Sequence, residues 1–81
     1  MKGVVCGISS NQVFCAVRTD LGYTVFEVLQ GEVSLGDEIT GDLDSHGDAS
    51  LHNSSQGSLI EAYIQAIQAT KQAAERLLQS A

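Results

Sequence analysis

The chain has no proline and only four cations, Lys2, Arg18, Lys71 and Arg76, against ten carboxylates. The shortage of cations excludes the most. A nucleic-acid binder gains most of its affinity from Lys and Arg side chains that neutralise phosphates. A net charge of −6 therefore argues against nucleic acid as a partner. The deficit is also unevenly placed. Residues 1–57 hold Lys2 and Arg18 against eight of the acids, whereas residues 58–81 balance Lys71 and Arg76 with Glu61 and Glu75. An acidic surface of this kind serves solubility or presents a face to a basic protein. No apolar run approaches the ~18 residues of a membrane span, so no membrane partner is expected. The apolar stretch behind Lys2 ends at Ser9 and Ser10, too soon for a signal peptide, which predicts a cytoplasmic chain with reduced thiols.

Sites for chemistry are equally scarce. Cys6 and Cys15 are the two cysteines. Zinc requires more ligands, and His46 and His52 lie on a different hairpin without a zinc-binding spacing. Asp42-Leu43-Asp44-Ser45-His46-Gly47 matches the opening of a calcium loop in part. Histidine stands at its fifth position, however, and Asn53 where the twelfth requires a bidentate glutamate. Ser45, His46 and Asp48 are neighbours in a turn, which is not the spatial arrangement a triad needs. The expectation is a non-enzymatic protein without a cofactor. At 81 residues, 43% of them hydrophobic, it forms a single domain over residues 1–81.

What is present is alternation. Val4–Ile8 and Val13–Arg18 read as strands around a turn at Ser10-Asn11. That register faces Ile8 with Val13, Cys6 with Cys15 and Val4 with Val17, one apolar side throughout. It places both thiols inside, free and shielded. Asp20-Leu21-Gly22 fits a three-residue loop that sets Thr19 against Tyr23 and Val17 against Val25, opening a third strand at Tyr23–Leu29. Glu38–Leu43 is the fourth strand. A loop at Ser45-His46-Gly47 then sets Leu43 against Ala49, Gly41 against Leu51 and Ile39 against Asn53. Five short antiparallel strands over residues 1–57 predict a small barrel.

From Ser58 the pattern reads differently. Ser58-Leu59-Ile60-Glu61 has the form of a capping box. Ile60, Tyr63, Ile67, Thr70, Ala74, Leu77 and Ala81 follow at spacings of three and four, opposite a stripe of Glu and Gln. This predicts an amphipathic helix over residues 58–81. At ~1.5 Å per residue it would span about 33 Å and outrun a barrel whose strands cover ~17–20 Å. The fold class expected is α+β: a five-stranded antiparallel barrel followed by a C-terminal amphipathic helix.

Lys2-Gly3-x-Val5, Phe14 on strand two, Asp20 with Gly22, Val25-Phe26, and Leu35-Gly36-Asp37-Glu38-Ile39 together resemble the cold-shock type of OB barrel over residues 2–53. That resemblance implies an OB-like fold whose aromatics on strands two and three stack nucleic-acid bases. Phe14 and Phe26 match such positions. Ala16 and Val28 stand where that family has a second aromatic and a histidine, and Asn11 or Gln12 where it has a basic residue. The scaffold is carried over more fully than the binding chemistry.

Alternation puts Phe14, Ala16, Phe26 and Val28 on one side of strands two and three, a second apolar face that needs a cover. Either the helix covers it through Ile60, Tyr63, Ile64 and Ile67, or it stays open as a binding face. Glu27, pointed inward by the same register, has no account beyond a position at the barrel rim. The distal helix, with Ala74, Leu77 and Leu78, is a candidate for self-association. The function expected is a module acting through protein–protein contacts, as partner-binder or homodimer. The alternative is a weak single-stranded nucleic-acid binder.

Overall fold

The computed structural model describes residues 1–79 and forms a closed antiparallel barrel with a C-terminal helix. The strands are β1 (Lys2–Ile8), β2 (Phe14–Thr19), β3 (Gly22–Gln30), β4 (Glu38–Thr40), β5 (Gly47–Asn53) and β6 (Ser58–Ala69). The helix is α1 (Lys71–Gln79). The barrel runs β1-β2-β3-β6-β5-β4, and β4 closes it by pairing with β1. A small barrel followed by a helix agrees with the expected class, but the strands number six rather than five. No helix among the described residues is long and apolar enough to cross a membrane.

The sixth strand replaces most of the expected helix. Residues 58–69 pair with β3 on one side and β5 on the other. Ile60, Ala62 and Ile64 point into the core, while Leu59, Glu61, Tyr63 and Gln65 face outward. The register against β3 then shifts between the Phe26–Ile64 and Val25–Ala66 pairs. This bulge moves the inward side to Ile67, which packs on the core. Ile60, Ile64 and Ile67 therefore imitate helical spacing although they lie on a strand. The apparent capping box is a cross-strand contact instead, in which Ser50 Oγ donates to the Glu61 carboxylate at 2.9 Å. The helix starts at Thr70, whose Oγ1 accepts the Ala73 N–H at 3.1 Å as an N-cap. The strand-to-helix boundary thus falls at residue 70, not 57, and Ala81 lies outside the described residues.

Two of the three expected registers also shift. In the second hairpin Thr19 pairs with Gly22, so the loop holds two residues and Val17 faces Thr24 instead of Val25. A one-residue slip exchanges the faces of an entire strand. Phe26 is consequently 0% exposed inside the barrel, and Glu27, the residue without an account, points outward. In the first hairpin, Ser9 and Phe14 close a longer turn, with the Ser9 N–H donating to the Phe14 carbonyl at 2.9 Å. A bulge at Cys6 then pairs Val5, not Val4, with Val17. The third hairpin keeps the expected Ile39–Asn53 pair, although β4 ends at Thr40.

The core contains Val5, Cys15, Val17, Phe26, Ile39, Leu43, Leu51, Ile60, Ala62 and Ile64. A second, smaller cluster lies outside the sheet, where α1 covers Ala16 and Val25 through Ala74, with Phe14, Tyr23, Ala66 and Leu78 around it. The close approach depends on Gly7, because a Cβ there would lie 2.7 Å from a Leu78 methyl. The second apolar face is therefore covered by a helix, but by the short distal one.

The thiols separate accordingly. Cys15 is buried and Cys6 is exposed, which corrects the placement of both inside. Loss of solvation pushes the Cys15 thiol up to about 12, with lesser contributions from Cys6 and Asp37. One neutral alkylating group should add to the native protein, at Cys6, and a second only in denaturant. Two native adducts in the intact mass, or none, would contradict this placement.

Candidate functional site

The residues expected to form a binding face do not share one. Phe26 is in the core, Val28 packs against the core, and Phe14 and Ala16 lie beneath α1. The two phenylalanines sit on opposite sides of the barrel wall, so they form no stacking platform. The candidate self-association residues are also engaged. Ala74 is 2% exposed against the barrel, Leu78 packs beside it, and only Leu77 reaches the surface, at 36%.

The exposed apolar residues lie elsewhere. Leu59 is 67% exposed and Tyr63 43% exposed on the outer face of β6, and Leu29 is 55% exposed on β3. The register places Tyr63 between Glu27 on β3 and Asp48 on β5. Glu61, one step along the same outer face, lies between Gln30 and Ser50. An aromatic ring is thus flanked on both sides by carboxylates. Alternation within residues 59–65 was the sequence signal for this face, hidden by the wider helical spacing.

A separate concavity of about 720 Å³ opens between the β1–β2 turn and the loop after β3. Ile8, Val28 and Val33 line its apolar part, Ser9 and Ser34 belong to its polar part, and Glu32 is the charged residue among its lining. Gly31 joins the groove to β6, since a Cβ there would lie 2.8 Å from the Leu59 carbonyl oxygen. The sheet face carries Glu27, Asp48 and Glu61 around Tyr63, and Glu32 lies at the concavity.

One buried polar group holds the loop beside the groove. Asn53 is 0% exposed, and its Nδ2 donates to Asp37 Oδ2 at 2.8 Å. The Gln56 side-chain amide and the Ser34 N–H donate to the same oxygen at 2.7 and 2.9 Å. These bonds, that from Asn53 foremost, hold the Asp37 carboxyl below its ordinary range against the opposing effect of desolvation. A depressed carboxyl stabilises the fold above its unfolded pKa, and that stabilisation is lost as pH falls through the folded value. Asn53→Ala should cost ~1–3 kcal/mol in urea unfolding at neutral pH. It should also move the Asp37 pKa upward in an NMR titration. An unmoved pKa would show that Asn53 does not hold this carboxylate.

Among the described residues, no three His, Cys, Asp or Glu side chains gather in a group able to hold a metal ion. Comparison with protein-family models, with curated proteins and with solved structures gives no match.

Proposed function

We propose that the protein is a non-catalytic docking module that binds a basic, partly apolar protein segment on the outer face of β3, β6 and β5. The observation that carries this is Tyr63 held between Glu27 and Asp48. A lysine or arginine over that ring gains a cation–π contact as well as two nearby carboxylates. Leu59, and Leu29 on β3, offer exposed apolar surface for a neighbouring side chain. The acidic surface favours encounter with such a segment and makes it sensitive to salt. The cold-shock resemblance of residues 2–53 enters here as an OB-like scaffold likeness without the base-stacking pair, so a single-stranded nucleic acid is the disfavoured partner.

The test is an NMR titration of the labelled protein with a short synthetic peptide of alternating lysine and leucine. A glutamate–leucine peptide and a short single-stranded DNA serve as controls. Shifts should concentrate at residues 59–65 and at Asp48, and fade with salt. Tyr63→Ala should weaken the lysine peptide by about two- to fivefold, the range of an exposed cation–π contact. Shifts elsewhere, indifference to Tyr63→Ala, or tighter binding of the DNA would overturn the proposal.

A further inference from the structure

The cations are gathered away from the acidic face. Arg18 on β2 and Lys71 at the start of α1 line a groove of about 280 Å³ between the helix and the sheet. Cys6, Tyr23, Glu75 and Leu78 also line it. Lys2 lies in an adjoining groove that shares Arg18. Three of the four cations in a chain of net charge −6 therefore line these two grooves, with Asp20 and Glu38 beside Lys2 in the second. The bulge at Cys6 breaks the regular pairing beside the helix, and Gly7 admits Leu78. The Thr70 cap starts the helix where Lys71 reaches the groove.

We infer that this groove binds a small oxyanion, a phosphate- or carboxylate-bearing molecule, between Arg18 and Lys71 with the Cys6 thiol beside it. Arginine offers a planar fork of donors suited to an oxyanion, and lysine a mobile point charge. Tyr23 adds a phenolic donor. Glu75 is the opposing charge within this groove, one helical turn from Lys71, and with Asp20 and Glu38 in the adjoining one it limits the affinity. The volume suits a ligand smaller than a drug-sized molecule. Cys6, Arg18 and Lys71 line the same groove, and partial loss of solvation raises the Cys6 thiol while the two cations partly offset the rise.

Cys6 itself reports the local field. Its thiolate displaces iodide from either iodoacetate, which is anionic, or iodoacetamide, which is neutral, and forms a thioether while the thiol proton goes to solvent. The ratio of the two rates is independent of how much thiolate is present. A cation ~6 Å away in water favours the anionic reagent by about threefold. The ratio at Cys6 in the native protein should exceed that in the urea-unfolded chain by about this factor or more. It should fall in Arg18→Gln and Lys71→Gln and rise in Glu75→Gln. At constant ionic strength, replacing chloride with inorganic phosphate or with acetate should slow both reagents, and whichever protects better names the ligand class. A native ratio at or below the unfolded one, as the net charge alone would give, overturns the inference. So does labelling that neither phosphate nor acetate slows.

Discussion

Phe26→Ala should remove a large share of the stability of the fold. Truncating a buried phenylalanine costs ~3–5 kcal/mol. A domain of this length has about 4–12 kcal/mol in total. Phe26 is 0% exposed and belongs to the barrel core with Cys15, Ile60 and Ile64. Phe14→Ala should cost less, because Phe14 is only half-buried at the edge of the α1 cluster. Urea unfolding followed by far-ultraviolet circular dichroism measures both. An exposed binding-face residue would change stability by no more than ~0.5 kcal/mol. Such a small effect at Phe26 would place it back on the outer face and reverse the register of β3.

The second large effect separates a strand from a helix over residues 58–69. Ile60→Ala and Ile64→Ala should each cost ~2–5 kcal/mol, since both side chains are buried. Tyr63→Ala should stay within ~0.5 kcal/mol, as an exposed residue on the outer face. A helix would join Tyr63 with Ile60 and Ile64 on one covering side, and all three truncations would then be costly. The pattern of the three values decides between the two, beyond any single magnitude.

The elements that local chemistry controls were legible in the sequence. Alternation located the first five strands, and the Ile39–Asn53 pair followed from the loop at Ser45-His46-Gly47. The first two registers were less legible, because each depended on one residue more or fewer in a turn or bulge. Thr19 and Gly22 close a two-residue turn, with Thr19 Oγ1 donating to the Gly22 carbonyl at 2.9 Å. That local preference fixes the orientation of all of β3. The inward Glu27 of the longer loop was the sign that the register was wrong. Over residues 58–69, three isoleucines and a tyrosine favoured a strand by intrinsic preference. The bulge before Ile67 masked this by converting a period of two into spacings of four and three. Residues 71–79, rich in Ala, Gln, Glu, Lys, Arg and Leu, are strong helix formers and become the helix. The candidate site was illegible for the same reason. Tyr63 meets Glu27 and Asp48 only when residue 63 lies on a strand between β3 and β5.

Backbone chemical shifts across residues 58–79 test this sixth strand most directly, because barrel closure, the inward Phe26 and the acidic face around Tyr63 all depend on it. The expected trace shows strand-like Cα shifts from Ser58, interrupted near Gln68, whose φ is 51°, and helical shifts only from Lys71. Cross-strand contacts should join residue 63 to both residue 27 and residue 48. Unbroken helical shifts from Leu59 to Gln79, without those contacts, would contradict the barrel and the docking face together.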